Sequence, residues 1–166
     1  KDHKLPGRGD HRIPTGDFLD FLARHDMPVP HAIAKGPSRV LIVEDEQDGA
    51  ELIGEVLRIV GYETKVATDG FTAGAQMIGF QPDVITLDLN MPGLNGLQVI
   101  RFIRSMKQFH HMKILVVSGM TKGELEQARS IGADDAIAKP IDFNQLKLKV
   151  SALMLDNGKR LPANVQ

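Results

Sequence analysis

Carboxylates, a hydroxyl and an ammonium stand in this sequence where short apolar runs stop. Glu44-Asp45-Glu46 follows Val40-Leu41-Ile42-Val43, Asp88 follows the run Asp83 to Leu87, Ser118 follows Lys113 to Val117, and Lys139 follows Asp134 to Ala138. Runs of this kind form buried parallel strands. A pocket that gathers Glu44, Asp45 and Asp88 cannot keep all three ionised without a cation. Magnesium, or manganese in its place, suits the set, because such an ion takes one or two carboxylates, keeps waters and engages phosphate oxygens. The carbonyl of a residue just after Asp88, Asn90 being the candidate, would complete the shell. A carboxylate beside a divalent cation is a phosphoryl acceptor, since the cation offsets the arriving charge. Lys139 would then neutralise one phosphoryl oxygen and the Ser118 hydroxyl would donate to another. A lone acid after a strand more often caps or solvates the next helix, and that reading is preferred for Glu46 and Asp48. It is the combination at successive strand ends that points to a site.

The intervening segments must position these groups. Helical stripes run from about Asp48 to Val60 (Leu52, Ile53, Val56, Leu57, Val60) and from Leu97 to Met106, with further helices over Phe71–Phe80, Thr121–Ser130 and Asp142 to about Leu155. Gly61 stops the first, Gly74 and Gly79 weaken the second, and Thr121 is a plausible N-cap. A further strand spans Tyr62 to Ala67 and ends near Thr68. Five β-α units in succession predict an α/β fold with a doubly wound parallel sheet, the flavodoxin-like strand order 2-1-3-4-5 being one common solution. In such sheets ligands bind beyond the carboxyl ends of the strands.

Composition bounds the rest. The chain has 166 residues, formal net charge -1, 42% hydrophobic and 25% charged residues, and no cysteine. A disulfide scaffold and a zinc-thiolate centre are excluded. No long apolar run predicts a membrane span, and no secretion signal opens the chain. The near-neutral charge argues against a wholly basic nucleic-acid coat, though not against a basic patch. The first residue is Lys1, and the opening lacks a starting element, so the chain is expected to be a fragment of something longer.

Residues 39 to about 155 resemble a bacterial response-regulator receiver domain, through VLIVEDE, PDVITLDLNMPGLNG, ILVVSGM and GADDAIAKP. The resemblance implies that Asp88 is the phosphoacceptor, that Glu44 and Asp45 hold magnesium, and that Asn90 ligates it through its carbonyl. It implies that Ser118 follows the phosphoryl group, that Lys139 pairs with it, and that the Lys139–Pro140 bond is cis. The loop shaped by Met91-Pro92-Gly93 and Gly96 needs close backbone turns. It further implies a cytoplasmic bacterial protein, a switch rather than an enzyme, phosphorylated by a sensor histidine kinase or phosphotransfer protein. One departure stands out: receivers usually carry Tyr, Phe or His three residues before the lysine, and here that residue is Ala136.

The N-terminal part divides off at Met27-Pro28-Val29-Pro30 and Gly36-Pro37. Residues 1–38 carry six basic and five acidic residues, leaving fourteen against sixteen in the remainder. Residues 1–30 read as a hairpin followed by a helix from about Gly16 to His25, with Phe18, Leu19, Phe21 and Leu22 on one face, and 31–38 as a linker. Residues 156–166 form a tail. GDHRIPTGDFLDFL loosely resembles the wing and following helix of excisionase- and MerR-like winged helix-turn-helix domains, of which the upstream helices are missing. The resemblance places Arg8, His11 and Arg12 on DNA phosphates. The expected function is a phosphorelay response regulator that controls transcription, by conformational switching or by self-association as a homodimer. The alternative is a receiver acting through protein contacts without DNA. A magnesium-dependent phosphatase is disfavoured, because Asn90 stands where a second aspartate would serve as general acid.

Overall fold

Five runs of aliphatic and β-branched residues pair in parallel: β1 (Arg39–Val43), β2 (Glu63–Ala67), β3 (Val84–Leu87), β4 (Lys113–Ser118) and β5 (Asp135–Ala138). The computed structural model describes residues 36–119 and 121–157, together with Phe21, Arg24 and His25. The sheet order is β2-β1-β3-β4-β5, as the alternation of strand and helix predicts. The register sets Val43 beside Ala67 and Leu87, Leu87 beside Val116, and Ser118 beside Ala138. The residues that follow these positions therefore emerge together at the carboxyl edge.

Five helices cover the sheet: α1 (Gln47–Ile59), α2 (Gly70–Phe80), α3 (Gly96–Ser105), α4 (Lys122–Ser130) and α5 (Phe143–Asp156). The two-residue period of each strand divides its side chains between two cores. Leu41, Val43, Ile85, Leu87, Ile114, Val116 and Ala136 pack with Ala73 and Met77 of α2, Ile100 and Ile103 of α3, and Ala128 of α4. Val40, Ile42, Val84, Leu115, Val117 and Ile137 pack with Ala50, Ile53 and Leu57 of α1 and with Leu146, Val150, Leu153 and Met154 of α5. The strands are buried on both faces, so polar chemistry is confined to their ends.

Caps and glycines set the boundaries. Gly61, at φ 104°, ends α1 as expected. Thr121 caps α4 in a capping box with Glu124. Asp142 caps α5, donated to by the amides of Asn144 and Gln145. Gly74 and Gly79 do not prevent α2, because the Asp69 carboxylate accepts from the Thr72 amide at 2.8 Å and anchors its first turn. Glu46 occupies the N-cap of α1 but makes no side-chain cap bond, while Asp48 lies in its first turn. A two-residue antiparallel ladder pairs Asn90–Met91 with Leu94–Asn95 around Gly93 at φ 71°, and a single 3-10 turn spans Lys107–Phe109; neither follows from periodicity. At the opposite edge of the sheet Arg104 donates to the carbonyls of Gly132 (2.8 Å) and Met112 (2.7 Å) and to Asp134 (2.6 Å), tying α3 to the strands beside it.

The chain divides into two compact units, Lys1–Gly36 and Pro37–Gln166. In the first, Phe21 and Arg24 are helical and the His25 amide donates to the Phe21 carbonyl at 3.2 Å. The expected hairpin, with Arg8, His11 and Arg12, lies outside the described residues, as does the tail from residue 158. No described helix is long and apolar enough to cross a membrane.

Gly96 gives a sharp test of the packing. A Cβ there would stand 2.6 Å from the Leu89 Cα, a backbone atom that cannot move aside cheaply, whereas a Cβ at Gly74 meets nothing within 4 Å. Gly96→Ala is expected to lower unfolding free energy by about 1–3 kcal/mol, and Gly74→Ala to raise it by about 0.5–1 kcal/mol. Urea unfolding measures both, and equal midpoints would refute the close approach.

Candidate functional site

The carboxyl edge of the sheet holds one connected polar cluster. Asp88, immediately after β3, is buried, and its Oδ1 accepts from the Ser118 hydroxyl at 2.8 Å and from the Asn90 amide at 2.9 Å. Its Oδ2 accepts from the Lys139 ammonium at 2.7 Å. The same ammonium donates to Glu44 Oε2, also at 2.7 Å, so one cation bridges carboxylates from β1 and β3. Ser118 ends β4 with no exposed surface, and Lys139, partly exposed, follows β5. The Lys139–Pro140 peptide is cis. Asp45 faces outward, and oxygens of Glu44, Asp45 and Asp88 lie within 4.8 Å of one another. A solvent-open cavity of about 300 Å³, lined by Glu44, Glu46, Gly49, Lys139, Pro140 and Phe143 among others, adjoins the cluster.

The two buried carboxyls respond to this setting in opposite ways. Burial pushes Glu44 above the usual glutamate range; Lys139 offsets part of that and the Asp88 charge adds to it. Burial also acts to raise Asp88, but the Lys139 ammonium, the Asn90 amide and the Ser118 hydroxyl outweigh it and hold the carboxyl below the usual aspartate range. The difference lies in donors: Asp88 has three, whereas Glu44 Oε1 is buried without a partner. For Lys139, burial works against the charge and the two carboxylates prevail, raising it above the usual lysine range. Two buried carboxylates share one ammonium, with Asp45 beside them and Glu44 Oε1 unpartnered. That donor set, all hard oxygens with excess negative charge, fits a small divalent cation.

Residues 40–151 match the response regulator receiver domain. The chain belongs to this family. Over 119 residues it is 30% identical to the DNA-binding dual master transcriptional regulator RpaA of Synechocystis sp., covering 70% of this chain and 48% of the relative. The chain spans about half the length of the curated relatives it matches first. Among solved structures it is similar to a receiver domain from Bermanella marisrubri, 43% identical, with TM-score 0.66 over 70% of this chain and 97% of that one. It is similar also to the receiver domain of a DNA binding response regulator protein (merR) from Colwellia psychrerythraea, 26% identical, with TM-score 0.68 over 71% and 98%.

Within this receiver, Glu44, Asp45, Asp88, Ser118 and Lys139 converge. Asn90 meets Asp88 through its amide N–H, and its side chain is exposed. The ion pair between Glu44 and Lys139 had no signal in the sequence, since the partners are 95 residues apart. Ala136 is buried in the α2–α4 core beside Val116, so the usual aromatic position is filled by a small core residue.

The raised Glu44 makes a prediction with a definite sign. A carboxyl whose folded pKa lies above its unfolded value weakens the fold when ionised, and the penalty fades as pH falls through the folded pKa. Without added divalent cation, Glu44→Gln is expected to be more stable than the parent at pH 7, with the gap narrowing as pH drops toward the ordinary glutamate range. Urea unfolding at stepped pH measures this; a gap that widens on acidification would contradict the assignment.

Proposed function

We propose that Asp88 accepts a phosphoryl group from a sensor histidine kinase or phosphotransfer protein and that the resulting charge switches this protein's conformation. The observation that carries the reading is the single cluster joining Asp88, Ser118 and Lys139 to two further carboxylates at one sheet edge. Glu44, Asp45, Asp88 and the Asn90 carbonyl would hold Mg2+ or Mn2+, which supplies charge neutralisation for the anionic phosphoryl group and its donor.

The chain's own residues do the remainder. Asp88 stays ionised at neutral pH because three donors stabilise it. One of its oxygens bonds to phosphorus as the bond between phosphorus and the donor breaks, with no proton required from Asp88. The Lys139 ammonium, bonded to Asp88 Oδ2, turns to donate a hydrogen bond to a phosphoryl oxygen. Ser118, bonded to Oδ1, turns its hydroxyl to another. The new group carries about -1.5 to -2 charge, by analogy with other phosphorylated side chains. Lys139 leaves Glu44 less well paired as it turns, which couples the event to β1, and Ser118 couples it to β4. With Ala136 in place of an aromatic, the change passes through the backbone and α4 rather than through a swinging ring.

The output we assign is transcription, through an N-terminal module in which Arg8, His11 and Arg12 contact DNA phosphates. Support comes from the loose winged-helix resemblance of residues 4–25 and from relatives described as DNA-binding regulators. Binding of the full chain to duplex DNA is expected to weaken steeply with salt. Absence of any salt-dependent binding favours an output through protein contacts.

Two measurements check the receiver chemistry. A small-molecule phosphodonor with Mg2+ is expected to label the protein at one site; Asp88→Asn abolishes the label, and undiminished labelling removes Asp88 as acceptor. Added Mg2+ is expected to raise the melting temperature by mass action, and Asp45→Ala to suppress most of that rise. An unchanged Mg2+ response in Asp45→Ala would exclude this carboxylate as a ligand.

A further inference from the structure

Helix α2 carries no charged residue, whereas the other four helices each carry at least two. Its inward face is built from Ala73, Met77 and Phe80. Its outward face is apolar as well: Phe71 is 88% exposed and Ile78 66%, and Phe102 of the neighbouring α3 is 52% exposed. A helix that is apolar all round is normally covered on all sides. Single exposed apolar side chains are ordinary, but these three line one hollow of about 620 Å³ between α2 and α3.

The outward stripe of α2 reads the same in both directions. Phe71, Gly74, Ala75 and Ile78 follow i, i+3, i+4, i+7 and share one face. Large side chains stand at its two ends and small ones at its middle, where a Cβ added at Gly74 would meet nothing within 4 Å. Across the hollow, Val99 and Phe102 are the fourth and seventh residues of α3, while Phe71 and Ile78 are the second and ninth of α2. Leu94, just before α3, packs against Gly70 at the start of α2. The two helices therefore begin level, and both pairs are centred on one depth.

We infer that the α2–α3 face is a self-association surface, on which a second copy of this chain lies with its α2 antiparallel to α2. A two-fold axis across the helices puts Phe71 beside the partner's Ile78, Gly74 beside the partner's Ala75, and Phe102 beside the partner's Val99. No charged side chain lines the hollow, so like faces meet without like-charge repulsion. Opposite charges stand at its ends. Exposed Asp69 caps the start of α2, and exposed Lys65 holds its Nζ 5.2 Å from the centre of the Phe80 ring at the end of α2. The antiparallel arrangement brings each Asp69 to the depth of the partner's Lys65. Among the described residues neither forms an ion pair within its own chain.

The size of the face bounds the strength of the contact. Helix α2, of 11 residues, is about 16 Å long. With α3 about 10 Å away, the face offers roughly 300 Å² in projection, below the roughly 800 Å² per partner of a standard stable complex. The dimer is therefore weak, reversible and concentration-dependent. The inference does not rest on phosphoryl transfer at Asp88.

Sedimentation equilibrium of the full chain, without phosphodonor and across a concentration series up to millimolar, tests the surface. A reversible monomer–dimer equilibrium is expected. Phe71→Glu and Ile78→Lys should each weaken it at least tenfold, and Leu148→Glu on α5 should leave it unchanged. Asp69→Asn, which keeps the helix cap, and Lys65→Gln should each weaken it several-fold, and together no more than either alone. The chain has no cysteine, so Ala75→Cys supplies a sole thiol close to the two-fold axis. A short bifunctional thiol reagent should cross-link that variant and leave Leu148→Cys monomeric. Unchanged far-UV circular dichroism establishes that each variant folds. A monomer at every concentration overturns the inference. So does a dimer indifferent to the Phe71 and Ile78 substitutions or equally sensitive to Leu148→Glu. Additive losses from Asp69→Asn and Lys65→Gln, or no cross-link through Ala75→Cys, overturn the antiparallel arrangement. Labelling of Asp88 in the same variants is a separate readout, so either reading can fail alone.

Discussion

One ammonium group holds the functional edge of this protein together. Lys139 donates at 2.7 Å both to Glu44 and to Asp88, which leave the sheet from β1 and β3, while the lysine itself follows β5. Both carboxylates are buried, so losing the ammonium they share would leave buried negative charge uncompensated, at a cost of about 3–5 kcal/mol. The sheet order follows the same demand. β1 and β3 must be neighbours to bring their acids together, β4 must follow to supply the Ser118 hydroxyl, and β5 must come last to swing the lysine over both. Burial of each strand on both faces leaves its end as the one place where such side chains fit.

The charge at that edge is deliberately incomplete. Two buried carboxylates and a third beside them are answered by a single positive group, and Glu44 Oε1 has no partner. In the proposed reading this imbalance draws in a divalent cation and then makes an arriving phosphoryl group tolerable. Asp88 is held ionised while Glu44 is pushed toward its neutral form, and the asymmetry arises from the number of donors around each. The site is therefore poised to exchange its hydrogen bonds. Ser118 ends β4, Lys139 follows β5 and both touch Asp88, so any change at the carboxylate reaches β4 and β5 directly. Ala136 leaves no ring at the core position that would report on such a movement.

Much of this was legible along the chain. Apolar runs separated by amphipathic stripes determine the parallel α/β sheet, because a strand buried on both faces needs helices above and below it. Gly61 and Thr121 mark helix ends through local backbone chemistry alone. The acids, the serine and the lysine announce a site by standing after successive strands. The ladder at Asn90–Asn95 and the close approach of Gly96 to Leu89 carry no periodic signal and depend on neighbours distant in sequence. The same holds for the shared ammonium: nothing local tells that Lys139 bonds Glu44 as well as Asp88, or that Asn90 presents its amide. Local sequence determines which strands and helices form, since those depend on near neighbours and side-chain period. Which oxygen meets which donor was decided by the tertiary structure, because burial and hydrogen bonding act between strand ends that the chain itself holds far apart.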